Sequence, residues 1–250
     1  MATRTTTTTT MTTAATTIST DRGAKAGVAL ARLLQLASPA LPVGAYSYSQ
    51  GLEAAVEAGV VRDTTSAGAW IGDALALSVA RFEAPAWCRL HAAWVACAYP
   101  EVRELDAWFR VTRETAELRA ETLQMGYSLR RLCVELGEFE AAPLAGLQAM
   151  DELTFPTAFT FAVAQWEIPA RDALVAYLWS WLENQVMAAL KAVPLGQTDG
   201  QRLLLRLGAS LPAIAGEAMA AGDVMLANFA PALAIASSRH ETQYSRLFRS

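Results

Sequence analysis

The stretch ARDALVAYLWSWLENQVMAALKAV, residues 170–193, decides the fold prediction, because its apolar residues recur at helical spacing over its whole length. The surrounding residues 141–198 contain only seven charged side chains. A helix with so few charges is expected to be buried on most sides. We therefore predict buried helices over Ala170–Val193 and near Thr157–Glu167, which together form a core.

Helical spacing also dominates the rest of the chain from Val28 onward, and strand-like alternation between turns is absent. No internal repeat or linker-like composition divides this part. The prediction is an all-α, single-domain helical bundle of about nine to ten helices. The further helices predicted are Val28–Ser38, Tyr46–Ala58, 63–82 with N-caps among residues 63–66, 85–98 from Pro85, a charged helical stretch over 101–135 with Pro100 at its start, Arg202–Ala221 interrupted at Pro212, and a last one from Asp223.

The first residues of the chain differ from the rest. Residues 1–26 are dominated by threonine and have little apolar surface to bury, so a disordered leader is predicted there. The helical domain is then expected to cover residues 27–250, with a partner-binding C-terminal segment at 239–250.

Composition excludes several classes of function. Apolar residues make up 53% and charged residues 18%, with a mean hydropathy of +0.23, which favours a surface that is partly covered by a partner. The longest uncharged run, Leu33–Leu52, is broken by Pro39, Pro42 and Gly44, so no membrane span is expected. A net charge of −4 without a basic run disfavours nucleic acid, and three cysteines indicate a reducing, cytoplasmic compartment.

Charge is concentrated in residues 101–135, which hold 13 of the chain's 44 acidic and basic residues. The pairs Arg110–Glu114 and Arg113–Glu117 have the i,i+4 spacing of ion pairs on a helix surface. A solvated helix face is the favoured interpretation, and an interface is the alternative.

Residues for catalysis or metal binding are scarce. The chain has two histidines, and only Cys88, His91 and Cys97 come near a metal-ligand spacing. A closed zinc site needs four ligands, so packing of these side chains is favoured over a metal site. We expect neither catalytic residues nor a tightly bound cofactor or metal.

Two segments could serve either packing or recognition. Lys191 lies at the end of the Ala170–Val193 helix, before a loop predicted over PLGQTDGQ, residues 194–201. It either complements the helix dipole or is an exposed contact beside that loop. The tyrosines and short polar residues of the Tyr46–Gln50 stretch fit a buried hydrogen-bonded network and an interface patch equally well.

The C-terminal segment RHETQYSRLFRS, residues 239–250, is rich in arginine and aromatic residues, which are enriched at protein interfaces. In a helix, His240, Tyr244, Leu247 and Phe248 would share one face. Either the segment docks onto its own domain or it folds onto another protein, and we favour the second.

These stretches together resemble the urease accessory protein UreF family. The similarity rests on LLQLASPALPVGAYSYSQGLE, RETAELRAETLQMGYSL, WLENQVMAALKAVPLGQTDGQRLLLRL and SSRHETQYSRLFRS, which lie in the family's order from residue 29 to residue 250. Ala45-Tyr46 after PVG is a small departure from the family pattern. The threonine-rich leader lies outside the resemblance.

The resemblance implies a non-enzymatic, all-α helper that forms a homodimer and works with UreD (UreH in some organisms) and the GTPase UreG. Such an assembly docks on apo-urease and assists nickel insertion, with GTP bound by UreG and nickel only transiently in contact. Arg246 would support the Pro194–Arg202 loop. The partner-binding residues implied are Tyr46, Tyr48, Gln50, Glu53, Lys191, Pro194, Gly196, Gln197, Arg202, Arg239, His240, Glu241, Tyr244, Arg246, Leu247, Phe248 and Arg249. An all-helical enzyme with a small hydrophobic ligand is the alternative function, and a nickel-storage protein a third.

Overall fold

The computed structural model describes residues 12–221 and 228–250, with side chains described from residue 23 onward. No β-strand occurs in those residues, which confirms the all-α prediction. The helices are α1 (Thr12–Ala37), α2 (Leu52–Glu57), α3 (Thr64–Ala74), α4 (Ala84–Val95), α5 (Tyr99–Val111), α6 (Ala116–Leu136), α7 (Ala141–Gln148), α8 (Phe155–Gln165), α9 (Ala170–Ala192), α10 (Gln197–Gly208), α11 (Leu211–Ala220) and α12 (Pro231–His240), with a 3₁₀ turn at Ala45–Ser47 and a π-helical segment at Leu75–Glu83.

Helices α8 and α9 form the centre of the molecule, as their low charge predicts. Every residue of Phe155–Val163 is buried, and α8 packs between α4 and α6. Helix α9 packs against α1, α2, α4, α10 and α11. The predicted bounds of α9 differ from the observed ones by one residue, because apolar residues on nearly every face hold the helix together along its length.

The start of α8 is fixed by a buried carboxylate. Asp106 on α5 accepts hydrogen bonds from the backbone N–H and hydroxyl of Thr154 at 2.8 Å each and from the Thr157 hydroxyl at 2.6 Å. Gly126 on α6 lies against the same turn, where a Cβ atom would come within 2.2 Å of the Leu153 carbonyl oxygen. A glycine is therefore required for α6 to approach this closely.

The helix predicted to start at Pro85 does not begin there. Helix α3, the π-helical segment and α4 follow one another without a break, and Pro85 is the second residue of α4. Proline has no N–H to donate, and this loss is tolerated in the first turn after the change from π-helical to α-helical pairing. The π-helical segment ends at the buried residue Glu83.

The charged stretch 101–135 is two helices rather than one. Helix α5 ends at Val111, and Thr115 caps α6 by accepting a hydrogen bond from the Leu118 N–H at 3.2 Å. The break separates the residues of both predicted i,i+4 pairs, so those pairs are wrong. Arg110 instead pairs with Glu152, and Arg113 pairs with Glu83 at 2.9 Å.

Three other boundaries differ from the prediction. The backbone is helical from Thr12, whereas a disordered leader was expected to residue 26. A helix that is already formed and docked through Leu33 and Leu36 can be extended toward the N-terminus one residue at a time. Residues 1–11 lie outside the described residues, as does the predicted helix start at Asp223. The unpredicted α7 fills the connection between α6 and α8, and α10 begins at Gln197 rather than Arg202.

One helical stretch in the described residues, Gln197–Ala220, is long and apolar enough by composition to cross a membrane. This is weak evidence, because the stretch is divided by a turn at residues 209–210 and packs on α9 through both halves. Leu203 on α10 and Leu211 and Ala215 on α11 are buried.

Candidate partner-binding site

The C-terminal segment is not helical beyond α12, so the predicted single helical face of His240, Tyr244, Leu247 and Phe248 is wrong. After His240 the chain turns back along residues 47–49. The Arg249 N–H donates to the Ser47 carbonyl oxygen at 2.8 Å, and the Ser49 N–H donates to the Ser250 oxygen at 2.6 Å. Within this chain, the segment therefore docks onto its own domain, which was the less favoured alternative.

Two glutamates hold this segment, and one of them, Glu53, takes the place of the backbone carbonyl oxygens that a helix would offer. The Glu53 carboxylate on α2 accepts hydrogen bonds from the Leu247 N–H at 2.7 Å and the Phe248 N–H at 3.0 Å. The Glu117 carboxylate on α6 accepts one from the Arg246 guanidinium at 2.7 Å. Charge-assisted hydrogen bonds of this kind are stronger than neutral ones, so they outweigh a short helical continuation.

His240 lies between the same two carboxylates and is fully buried. Its Nδ1 is 2.7 Å from Glu117 Oε2, and its Nε2 is 3.1 Å from Glu53 Oε2. Beside it, the Glu241 carboxylate accepts a hydrogen bond from the Ala116 N–H at 2.8 Å. That places a negative charge at the N-terminus of α6, where the helix dipole favours it.

Backbone geometry at Gly51 allows α12 to approach α2. Gln50 and Gly51 have positive φ angles of 53° and 79° directly before α2, so they divide the helix that was predicted over Tyr46–Ala58. A Cβ atom on Gly51 would lie 2.8 Å from the Ser237 nitrogen of α12. A side chain at this position would therefore displace the helix that carries His240.

Part of the Tyr46–Gln50 stretch forms a half-buried hydrogen-bonded network. The Gln50 side chain donates to Glu121 at 2.8 Å and accepts from the Trp181 indole at 2.8 Å. Burial raises the pKa of Glu121 to about 7, because the charged form loses solvent there. Burial is also the main cause that raises the pKa of Tyr48, and the nearby Glu121 charge raises it further. A hydrogen bond from Arg249 lowers this pKa in part.

Tyr46 belongs to the surface instead, with 67% of its area exposed. Its ring centre lies 5.9 Å from the Lys191 ammonium, and the same ammonium lies 5.6 Å from the ring centre of Phe248. Lys191 is in the last turn of α9, so its charge also complements the helix dipole. The structure thus brings together three predicted residues that are far apart in the sequence, at the edge of the docked C-terminal segment.

The loop after Lys191 is shorter than predicted, since α10 begins at Gln197 with Gly196 as its N-cap. Asp199 in the first turn favours this early start, and it pairs with Arg202 at 3.0 Å. Pro194, Gly196, Gln197 and Arg202 are exposed. In the chain by itself Arg246 pairs with Glu117, so its support of this loop in an assembly stays a prediction.

A cavity of about 180 Å³ lies beneath this surface. Tyr46, Gln50 and Lys191 reach it from the surface, and Glu83, Arg113 and Tyr177 lie in its wall. Arg113 pairs with Glu83, and the Tyr177 hydroxyl donates to the same carboxylate. Burial is the main cause that holds the pKa of Tyr177 well above its usual range, and the Glu83 charge adds to it.

Cys88, Cys133 and His91 are packing residues, whereas Cys97 is exposed. None of the cysteines is in a disulfide. The His91 ring stacks on Trp87 with ring centres 5.3 Å apart, and burial raises the pKa of Cys88 to about 11. Across residues 12–221 and 228–250, no group of three or more histidine, cysteine or acidic side chains is arranged to hold a metal ion.

Sequence reasoning missed Glu117 and Glu121, which hold the C-terminal segment. Both are on α6 at i,i+4 spacing, in the stretch interpreted as a solvated face, and Glu121 is 6% exposed. A signal was present, because the acidic pair is matched by a basic and histidine-containing segment at residues 239–249. Spacing alone did not show that these two parts of the chain meet.

Comparison with known proteins places the chain in a family. The family model of UreF matches residues 61–208. A urease accessory protein UreF from Azoarcus sp. (strain BH72) is 61% identical over 223 residues, covering 88% of this chain and 95% of that protein. One from Dechloromonas aromatica (strain RCB) is 56% identical over 222 residues, covering 88% and 97%. A bifunctional urease accessory protein UreEF from Bordetella bronchiseptica is 53% identical over 224 residues, which cover 88% of this chain and 52% of that protein.

The chain therefore belongs to the UreF family of urease accessory proteins. Its role is in urease maturation, and it is an accessory protein rather than an enzyme. Because the relatives are accessory proteins, the alternative of an all-helical enzyme with a small hydrophobic ligand is wrong.

Proposed function

We propose that this chain is a cytoplasmic adaptor that bridges UreD (UreH) and the GTPase UreG and assists nickel insertion into apo-urease. It acts by presenting surfaces, and it binds no cofactor tightly.

The observation that carries the proposal is the contrast between the two sides of the C-terminal segment. His240 and Phe248 are buried against the domain, whereas Tyr244 is fully exposed and Leu247 is 72% exposed. An exposed tyrosine close to Arg246 and Arg249 has the composition of a binding hot spot, and Leu247 adds exposed apolar area beside it. The segment therefore has one side that anchors it and one side that is available to UreD.

A second surface is proposed for UreG. Lys191 and Tyr46 lie beside the C-terminal segment, and exposed Pro194 and Arg202 follow along the chain. Binding of UreG at this edge would depend on whether the C-terminal segment is docked, because the Phe248 ring of that segment contacts the Lys191 ammonium. The name of the UreEF relative agrees with accessory proteins of urease acting together.

Homodimer formation is part of the proposal and is supported by apolar side chains left exposed near the end of the chain. Leu205 on α10 is 76% exposed, Phe229 is 75% exposed and Ile235 on α12 is 53% exposed. Covering such side chains in a second copy would release ordered water. Sedimentation velocity tests this directly, and a monomer at all concentrations would contradict it.

Nickel is treated as cargo that passes through the assembly. We expect the isolated chain to bind nickel no tighter than about 10⁻⁶ M, since the described residues offer no cluster of metal ligands. Isothermal titration with nickel checks this, and stoichiometric tight binding would favour a storage protein instead.

The experiment that tests the adaptor proposal is co-expression with UreD and UreG, followed by size-exclusion chromatography with and without GTP and nickel. The expected result is one complex that contains all three proteins. In the control, UreD and UreG are co-expressed without this chain, and the two proteins should then elute separately. Co-elution of UreD and UreG without this chain would contradict the bridging role.

A further inference from the structure

His240 has a geometry that docking alone does not require. Both ring nitrogens face carboxylates, Nδ1 at 2.7 Å from Glu117 and Nε2 at 3.1 Å from Glu53, and the side chain is fully buried. A protonated imidazole has two N–H donors, whereas a neutral one has a single donor and a lone pair. Only the protonated ring can donate to both carboxylates at once.

We propose that His240 is a proton-dependent latch, which holds the C-terminal segment on α2 and α6 when protonated and releases it when the proton is lost. The segment's connection to the latch is direct. The Glu53 carboxylate that faces His240 also accepts the Leu247 and Phe248 N–H groups, and Glu117 also pairs with Arg246. A change at His240 therefore reaches the contacts on both sides of Tyr244.

The charges around His240 favour the protonated form in the docked state. Glu53 faces it from α2 and Glu117 from α6, while Arg246 and Glu241 belong to the segment itself. One guanidinium cannot neutralise both buried carboxylates. With a neutral ring, the lone pair of one nitrogen would point at a carboxylate, and a buried charge would lose its partner.

A second group on the same surface acts in the same direction. Glu121 accepts a hydrogen bond from the Ser250 hydroxyl at 3.1 Å and, through burial, has its pKa raised to about 7. A group whose pKa is raised by folding stabilises the docked state fully at low pH, and this contribution is lost as pH rises through the raised value. The other charged and polar groups that act on Glu121 are Gln50, Tyr48, Arg113 and Glu83. The segment should therefore be held at mildly acidic pH and loosened at mildly alkaline pH.

The latch is a property of this chain alone. Its consequence for UreD, which rests on the proposed function, is that a released segment is free to rearrange on the partner. Whether the latch exists and whether UreD binds are thus separate questions with separate experiments.

The first test is imidazole NMR of the full chain. It contains only two histidines, His240 and His91, so the spectrum has two ring systems and the variant His240→Gln assigns them. We expect both ring nitrogens of His240 to carry a proton while the segment is docked, since each faces a carboxylate, and one of these protons to be absent where the segment is released. A ring with a single proton while the segment is docked would overturn the proposal.

The second test is hydrogen exchange of residues 244–250, with each rate corrected for the intrinsic pH dependence of exchange. In the unmodified chain, protection should fall by about tenfold or more between about pH 5.5 and about pH 8.5, since a hydrogen bond to a charged group is lost. His240→Gln has a donor group at one end and an acceptor oxygen at the other, so like the neutral ring it cannot donate to both carboxylates from separate atoms, and it should show the low protection at both pH values. Protection that does not change with pH in the unmodified chain would overturn the latch.

The matched control is His91→Gln. His91 lies on α4 against Trp87 and is not part of the C-terminal segment, so this variant should keep the full pH response. If His240→Gln keeps the full pH response as well, the latch is not at His240. The double variant His240→Gln, Glu121→Gln should have no pH response left. Affinity for UreD, measured separately at the two pH values, then tests the proposed function without bearing on the latch.

Discussion

The ammonium of Lys191, in the last turn of α9, lies 5.6 Å from the ring centre of Phe248, near the end of the C-terminal segment. Tyr46 supplies a second ring to the same ammonium at 5.9 Å. This cluster joins the central helix, the 3₁₀ turn and the C-terminal segment at one point of the surface. The contact therefore links packing of the domain to the position of the segment proposed to bind a partner.

Replacing Lys191 tests that link. Lys191→Ala should lower the free energy of unfolding by no more than about 1 kcal/mol, because cation–π contacts of exposed lysines are weak. It should also weaken recruitment of UreG in a pull-down with UreD, while Lys191→Arg should retain recruitment. A loss of several kcal/mol in urea denaturation would instead make Lys191 a structural residue.

Asp106 should be among the most sensitive positions in the core. It is 2% exposed and accepts three hydrogen bonds from Thr154 and Thr157. Asp106→Ala leaves those buried donors without an acceptor, so we expect a loss of about 2–4 kcal/mol in the free energy of unfolding. The control is Asp73→Ala at an exposed position of α3, which should change the free energy of unfolding by less than about 0.5 kcal/mol. Equal denaturation midpoints for the two variants would show that the Asp106 contacts do not stabilise the turn before α8.

The ion pair in the cavity wall gives a third prediction. Arg113→Met leaves the buried Glu83 without its guanidinium and should cost about 3–5 kcal/mol, measured by thermal or urea unfolding. Adding Glu83→Gln should recover much of that loss, because no uncompensated charge then remains. The exposed Arg103→Met is the control. No recovery in the double variant would mean that Arg113 stabilises the fold by its contacts with Phe109 rather than by charge.

Glu121 makes stability depend on pH. Its pKa is raised from an ordinary 4.5 to about 7, so its contribution is fully present below about pH 4.5 and is lost as pH rises through about 7. Glu121→Gln keeps a neutral group, so its free energy of unfolding should equal that of the unmodified chain near pH 4.5 and exceed it at about pH 8.5 by on the order of 3 kcal/mol. Urea unfolding at the two pH values measures this. A variant that is less stable at both would show that the carboxylate form is required by its hydrogen bonds to Gln50 and Ser250.

The sequence predicted the core well and the site only in part. Helix α9 was placed within one residue because its apolar residues cover nearly every face, and such a pattern has no competing explanation. The prediction of one helix over residues 101–135 was wrong. The break is marked only by the N-cap at Thr115, and the strong charge periodicity on both sides obscures this local signal.

The candidate site depends on contacts between residues far apart in the sequence. Glu53 and His240 are separated by 187 positions, and nothing in their local sequence indicates that they meet. Likewise, the Tyr46–Gln50 stretch was equally consistent with burial and with an interface, and the hydrogen-bond partners of Gln50, which are Glu121 and Trp181, lie far from it in the chain. Local patterns predict helices, whereas such pairings are set by how the helices pack.

The central claim is that the outward side of the C-terminal segment binds UreD. The most direct measurement is the dissociation constant of purified UreD for the unmodified chain and for the variant Tyr244→Ala, Leu247→Ala, with Val95→Ala on α4 as the exposed apolar control. Because these side chains are exposed, both variants should unfold at the same urea concentration as the unmodified chain. The account predicts that the double variant weakens binding by about tenfold or more, with no change for the control. Equal affinities of all three proteins for UreD would contradict it.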